Sequence, residues 1–135
     1  LAASASNVSV YGGAGADTLT FALNQTSVLV EGQDGDDVID FAKDIVSSTV
    51  TGGSGADSFY FDNGGSKVFV DAGASDDTDT IHFALTATSS TIASGSGNDS
   101  ILLAGRVGLL PAKAKPKLPC PSGNNSSAGK SPALS

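Results

Sequence analysis

Apolar and polar residues alternate along this chain in blocks that recur about every 20 residues. After each of five glycine-rich segments, every second residue is apolar, which is the period of a β-strand with one buried face. These apolar residues align in two columns, Leu19, Ile39, Phe59, Ile81 and Ile101, and Phe21, Phe41, Phe61, Phe83 and Leu103. The residues between them, Thr20, Asp40, Tyr60, His82 and Leu102, share no chemistry and are predicted to face solvent.

The segment before each glycine-rich turn alternates in the same way. It adds two inward columns. The first contains Val8, Val28, Ser48 and Val68, in which Ser48 is the polar exception, and the second contains Val10, Val30, Val50, Val70 and Ile92. A block of about 20 residues cannot bury its own apolar face, so the copies must stack on one another. The pattern predicts an all-β fold, a parallel β-solenoid of about five rungs over residues 1–104, each rung being strand, turn, strand and polar return loop.

The charges divide the 135-residue chain into two parts. All 14 acidic residues precede residue 105, where only Lys43 and Lys67 oppose them, so residues 1–104 carry a net charge of −12. Such an acidic body repels phosphate and argues against a nucleic-acid partner. Residues 105–135 carry five basic residues, all five prolines and the lone Cys120. This composition predicts a disordered tail, either a linker or the product of a shifted reading frame or of cloning.

Targeting signals are not evident in the sequence. No apolar run approaches the 18 residues of a spanning helix, and the first residues do not have the pattern of a secretory signal peptide. The chain begins at Leu1 and contains no methionine. We therefore expect a piece of a longer protein whose neighbouring repeats stack on this one.

The glycine-rich turns each close on an aspartate. Stacking of the rungs brings five carboxylates into one column, Asp17, Asp37, Asp57, either Asp77 or Asp79, and Asp99, because the fourth turn contains two extra residues. A column of unpaired carboxylates repels itself, and divalent cations between successive turns would remove that repulsion. Turn carbonyls and carboxylates form the all-oxygen set that suits calcium, whereas magnesium requires stricter octahedral geometry. The turns hold no Cys or His, which disfavours zinc and copper.

These turns resemble the nonapeptide repeat of RTX, or haemolysin-type calcium-binding, proteins, Gly-Gly-x-Gly-x-Asp-x-apolar-x. Residues 12–20 and 52–60 match this unit throughout, residues 32–40 match with Gln33 at the second glycine, and residues 95–102 match with Ser94 at the first. The resemblance implies a β-roll in which turn carbonyls and the aspartates of adjacent turns, here Asp17, Asp37, Asp57 and Asp99, share each Ca²⁺. The predicted metal-binding residues are Gly12, Gly13, Gly15, Asp17, Gly32, Asp34, Gly35, Asp37, Gly52, Gly53, Gly55, Asp57, Asp77, Asp79, Gly95, Gly97 and Asp99.

The return loops depart from the RTX pattern. Residues 23–26 and 43–46 lack the glycine spacing, so we expect calcium along one side of the solenoid only. The predicted function is calcium binding that stabilises the fold of part of a secreted or cell-surface protein, without catalysis. One alternative is a structural or adhesive spacer in which metal is incidental. Another is a piece of an exported hydrolase whose catalytic domain lies outside this chain.

Overall fold

The structure, a computed structural model, describes residues 3–105, 107 and 108. The 16 strands in this part form a parallel β-solenoid of five complete rungs, each with three strands, and one further strand beyond the fifth rung. The predicted fold class is confirmed. Among the residues described, no helix has the length and apolarity needed to cross a membrane.

The first three rungs have a constant strand pattern. Rung one contains β1 (Ala5–Ser6), β2 (Ser9–Ala14) and β3 (Thr18–Phe21). Rung two contains β4 (Gln25–Thr26), β5 (Leu29–Asp34) and β6 (Val38–Phe41). Rung three contains β7 (Ile45–Val46), β8 (Thr49–Ser54) and β9 (Ser58–Phe61).

The last two rungs repeat this pattern with shorter strands before the turn. Rung four contains β10 (Gly65–Ser66), β11 (Phe69–Gly73) and β12 (Thr80–Phe83). Rung five contains β13 (Ala87–Thr88), β14 (Thr91–Ala93) and β15 (Ser100–Leu103). A final strand, β16 (Val107–Gly108), pairs with β13. The sheet that contains β13 and β16 thus reaches beyond residue 104. The tail from residue 109 onward lies outside the described residues.

The strands form three parallel sheets. The turn-entry sheet has the order β14-β11-β8-β5-β2, the turn-exit sheet β15-β12-β9-β6-β3, and the short sheet β1-β4-β7-β10-β13-β16. Partners are 20 residues apart in the first three rungs, as in Val10↔Val30. On the exit side of the fourth turn the offset becomes 22, as in Phe61↔Phe83, because of the two extra residues.

The core lies between the three sheets and has the inward columns predicted from alternation. Rings of Phe21, Phe41, Phe61 and Phe83 stack face to face, with centroid separations of 4.6, 5.3 and 4.1 Å. Burial is complete only in the middle of the stack, where Ile81 is 0% exposed while Ile101, in the same column of rung five, is 44% exposed. The rungs therefore bury one another, as expected for a solenoid.

The short sheet is a feature that the alternation pattern did not predict. The return loops were expected to be polar connections, but each contains a two-residue strand that adds an inward position, occupied by Gln25, Ile45, Gly65 or Ala87. Gln25 is fully buried; its Oε1 accepts from the backbone N of Ala5 and its Nε2 donates to the carbonyl of Leu23. A two-residue strand is too short to show a period, so only stacking reveals it.

Ser48 has a structural reason for its place in an apolar column. Its Oγ accepts from the backbone N of Val28 at 3.1 Å and donates to the carbonyl of Val46 at 2.8 Å. Ser90 makes the same pair of bonds two rungs later, with Val68 N and Thr88 O. Both hydroxyls satisfy backbone groups at the corner between the short sheet and the turn-entry sheet, where an unpaired group would be costly.

Candidate metal centre

The glycine-rich turns join the turn-entry sheet to the turn-exit sheet along one edge of the solenoid. Turns one to five comprise residues 12–17, 32–37, 52–57, 72–79 and 94–99. Strand pairing continues into the first turns, since Gly13 pairs with Gln33 and Gln33 with Gly53. The turns are therefore stacked at the spacing of adjacent strands, about 4.8 Å.

The aspartates that close the turns form a continuous ladder along this edge. The Oδ1 atoms of Asp37 and Asp57 accept hydrogen bonds from the backbone N of Asp17 and Asp37, at 2.7 and 2.8 Å. The next two steps join Asp57 N to Asp79 Oδ1 at 2.7 Å and Asp79 N to Asp99 Oδ1 at 3.1 Å. Asp79 thus occupies the column position in the fourth turn, which the sequence left open between Asp77 and Asp79.

The second carboxylate oxygens in the middle of this ladder lack partners. Asp37 and Asp57 are each 1% exposed, and their Oδ2 atoms are the buried side-chain N or O atoms without a hydrogen bond among the described residues. Each Oδ2 lies against the first glycine of its own turn, Gly32 or Gly52, so it points across the inside of the turn. A buried carboxylate oxygen without a partner is costly and needs a proton or a cation.

The first glycine of each turn provides space for this carboxylate. A Cβ added to Gly32 or Gly52 would collide with the Oδ2 of Asp37 or Asp57. Neither glycine has a positive φ, so room for the carboxylate, rather than backbone conformation, accounts for glycine at these two positions. Backbone conformation accounts for Gly35 and Gly55, at φ 124° and 114°.

The environment of the ladder also affects its protonation. Burial raises the pKa of Asp57 to about 7, although the hydrogen bond from Asp37 N opposes this shift. Burial raises the pKa of Asp37 and of Asp79 in the same direction. Neighbouring carboxylates add to each shift, because a like charge disfavours ionisation. A divalent cation bound beside these carboxylates would act against both burial and the like charges, and would lower the pKa values.

Other acidic residues of the turns lie on the outside. Asp34, a predicted metal-binding residue, is exposed, and its Oδ1 accepts from Ser54 Oγ at 3.0 Å. Asp36, which the sequence did not single out, accepts from Ala56 N at 2.9 Å. Asp77 lies outside the ladder, and its Oδ2 accepts from Gly55 N at 3.2 Å. The positions of these three aspartates within the repeat do not predict these hydrogen bonds, because each partner lies in a neighbouring rung.

The ends of the ladder are less enclosed than its middle. Asp17 and Asp99 are half-buried, and Gly95 and Gly97 in the fifth turn are exposed. Among the described residues no rung packs on the outer side of the first turn, and a Cβ on Gly13 or Gly15 would meet open space. The described residues therefore bring the predicted aspartates together but enclose mainly those of turns two, three and four.

The donor set fits calcium when backbone oxygens are counted with the carboxylates. Within residues 3–105, no three His, Cys, Asp or Glu side chains are grouped closely enough to hold a metal by themselves. A bound ion would therefore need turn carbonyls in addition to the aspartates of adjacent turns. Carbonyls and carboxylates together are the hard oxygen ligands that Ca²⁺ accepts in variable number and geometry.

Comparison with known protein families gives a match to a calcium-binding repeat. The model of the RTX calcium-binding nonapeptide repeat matches residues 1–23 and 47–67, with four copies of the repeat. These segments contain turns one and three, whose sequences follow the unit throughout. Neither the curated proteins nor the solved structures gave a match. Residues 1–23 and 47–67 are therefore similar to RTX calcium-binding nonapeptide repeats, and the parallel solenoid in which they lie is consistent with a β-roll.

Proposed function

We propose that this chain binds Ca²⁺ between successive turns on one edge of the solenoid and that the bound ions stabilise its fold. The observation that carries the proposal is the pair of fully buried carboxylate oxygens without partners, the Oδ2 atoms of Asp37 and Asp57. A cation held by these oxygens and by turn carbonyls would supply the interaction that the Oδ2 atoms lack. It would also reduce the repulsion between the carboxylates of the ladder.

Binding at these sites would be coupled to folding. The aspartates come together only when rungs stack, so the unfolded chain offers no preformed site, and the free energy of binding adds to that of folding. At a calcium concentration about 100 times the dissociation constant, each site would contribute about 2.7 kcal/mol. The proposal assigns no catalytic role to the described residues.

The coupling suits a protein that works outside the cell. Extracellular calcium modules bind with dissociation constants of about 0.1 to 1 mM. A chain of this kind would stay unfolded where calcium is scarce and fold where calcium is abundant. We therefore place the function at the cell surface or in the surrounding medium, as the resemblance to RTX repeats implies.

Circular dichroism of the full chain during a calcium titration tests this proposal. We expect a rise in β-structure at roughly 0.1 to 1 mM calcium, and no rise with magnesium at the same concentrations. The variant Asp37→Asn/Asp57→Asn should show a much smaller calcium-dependent rise over this range, because it loses the two carboxylates that would bind the ions. Asp62→Asn, which removes a charge at an exposed position outside the turns, should behave like the unchanged chain.

One observation favours the alternative of a structural spacer. The Oδ1 atoms of the ladder already accept backbone N–H groups, and this pairing by itself holds successive turns together. A spacer would retain its full β-signal in a chelator, whereas a calcium-dependent fold would lose it. An unchanged spectrum with and without chelator would therefore favour the spacer.

A further inference from the structure

We propose that the fourth turn ends the calcium column, so that the chain holds two calcium ions, between turns one and two and between turns two and three, rather than four. The inference rests on the proposed function and concerns which pairs of turns can form a site. The aspartate ladder runs through all five turns, and by itself would allow an ion in each of the four gaps.

Backbone contacts between turns change at the fourth turn. In the first two gaps, Gly15 N donates to Asp34 O at 2.7 Å and Gly35 N donates to Ser54 O at 2.8 Å. The equivalent donor in the third gap, Gly55 N, instead donates to the Asp77 carboxylate at 3.2 Å, with Ser75 Oγ at 3.5 Å. A side chain thus replaces the backbone carbonyl that joins the earlier turns.

Asp77 occupies a position that is glycine in every other turn. A Cβ on Gly97 would meet the carbonyl of Asp77, just as a Cβ on Gly55 would meet that of Gly35, so these residues lie in one column. The column glycines have φ between 106° and 124°, whereas Asp77 is not among the residues with positive φ. The peptide groups beside Asp77 therefore have a different orientation, and the carbonyls of the fourth turn do not repeat the arrangement of turns one to three.

The unpartnered carboxylate oxygens also distinguish the first three turns from the fourth. They belong to Asp37 and Asp57, in turns two and three, and hence to the gaps among the first three turns. Asp79 is equally buried, at 1% exposed, but neither of its oxygens is both buried and unpartnered. The need for a cation is therefore greatest where the turn backbone is regular.

Charge alone predicts the opposite distribution. The fourth turn holds three aspartates, Asp76, Asp77 and Asp79, and is as acidic as turn two and more acidic than turns one, three and five. If acidity governed binding, the gaps on either side of this turn would be among the strongest sites. If carbonyl arrangement governs binding, making the turn regular should create sites even though it removes two negative charges.

Isothermal titration calorimetry of the full chain with CaCl₂ distinguishes these cases. The repaired variant deletes Ser75 and Asp76 and carries Ala72→Gly and Asp77→Gly, which restores the spacing of turn three. We expect the unchanged chain to bind two Ca²⁺ and the repaired variant to bind four. The control Asp71→Asn/Asp76→Asn removes two charges without changing the length of the turn, and should still bind two.

A second variant tests the proposal without altering the fourth turn. Asp37 belongs to both of the proposed sites, so Asp37→Asn should weaken both and remove tight binding altogether. With four sites, the same variant would keep two ions bound near turns four and five.

The outcomes separate this inference from the proposed function. Four ions in the unchanged chain, two in the repaired variant, or two tightly bound ions in Asp37→Asn would each overturn the terminating role of the fourth turn while leaving calcium binding established. An unchanged chain that binds no calcium would contradict the proposed function, and this inference with it.

Discussion

At the scale of single residues, the ladder aspartates balance two opposed requirements. Asp57 Oδ1 accepts a backbone hydrogen bond, while its Oδ2 is buried without a partner. The first oxygen stabilises the stacked turns, and the second needs a proton or a cation. The metal-free chain should therefore respond to pH in the direction opposite to that of an aspartate in a salt bridge.

The first prediction concerns this pH dependence in a chelator. Burial raises the pKa of Asp57 to about 7 from its ordinary 3.8, so folding takes up a proton between these values. The stability of the metal-free chain should fall as pH rises from about 4 to about 7, and change little above that range. The β-structure signal in circular dichroism, recorded in EDTA between pH 4 and pH 8, measures this and should be largest at the acidic end.

The variant Asp57→Asn provides the matched test. Asparagine keeps the oxygen that accepts from Asp37 N but carries no charge. It should make the metal-free chain more stable at pH 7.5, weaken the pH dependence and reduce calcium affinity. Asp37 and Asp79, whose pKa values are also raised, would retain part of the dependence. A less stable metal-free variant would contradict this account.

A second prediction concerns the close approach of adjacent turns. A Cβ on Gly53 would collide with the carbonyl of Gln33 in the preceding rung, whereas a Cβ on Gly13, at the same turn position in rung one, would meet open space. Both residues have positive φ, so the strain of alanine in that conformation is common to both. Gly53→Ala should therefore destabilise the solenoid more than Gly13→Ala, by at least about 1 kcal/mol.

Thermal unfolding of the two alanine variants in saturating calcium measures this difference. Equal losses would mean that the conformational strain alone matters and that the turns can separate without cost.

At the scale of elements, the turn-exit strands are held together by their aromatic column. The rings of Phe41, Phe61 and Phe83 are stacked and fully buried, with interplanar angles of 5° and 8°. Phe41 and Phe61 each contact the rings of the rungs before and after them, so the column connects strands that are 20 or 22 residues apart. Removing a ring from the middle should affect three rungs at once.

The third prediction tests this column with Phe61→Ala. Loss of the ring leaves a cavity between Phe41 and Phe83, and we expect a loss of about 3–5 kcal/mol in the free energy of unfolding. Phe69→Ala is the control, because Phe69 is 40% exposed on the outer face of the turn-entry sheet. Urea unfolding should show a loss of less than about 1 kcal/mol for the control.

At the scale of the whole molecule, stability should be greatest in the middle of the solenoid. Residues of the inward columns are fully buried in rungs two to four, whereas Val8 and Ile101, in the end rungs, are 40% and 44% exposed. In a stack of repeats each rung is stabilised mainly by its neighbours, and within the described residues rungs one and five have a complete rung on one side only. The end rungs should therefore open first.

The fourth prediction follows for amide exchange. Hydrogen exchange measured by mass spectrometry should show the slowest exchange in β8 and β9 of rung three and faster exchange in β2, β3, β14 and β15. Calcium should slow exchange most in turns one to three if the fourth turn ends the column. Uniform protection along the chain would indicate that the rungs open only together.

Much of this architecture follows from the sequence, because period and alternation are local properties of the chain. The spacing of 20 residues sets the rungs, and the alternation of Ile81 and Phe83 with Thr80 and His82 sets the inward face. The aspartate column follows from the same spacing, since residues one period apart must lie side by side in stacked rungs. The chemistry that favours calcium was therefore evident before the fold was known.

Only the tertiary structure decided the features that depend on contacts between rungs. It placed Asp79 in the ladder and Asp77 at a glycine position, because the extra residues of the fourth turn are accommodated before Asp77. It also showed that Gly32 provides room for a carboxylate, that the return loops form a third sheet, and that Ser48 bonds a neighbouring rung. A sequence pattern records which residues repeat, but these roles depend on which atoms meet across about 4.8 Å between rungs.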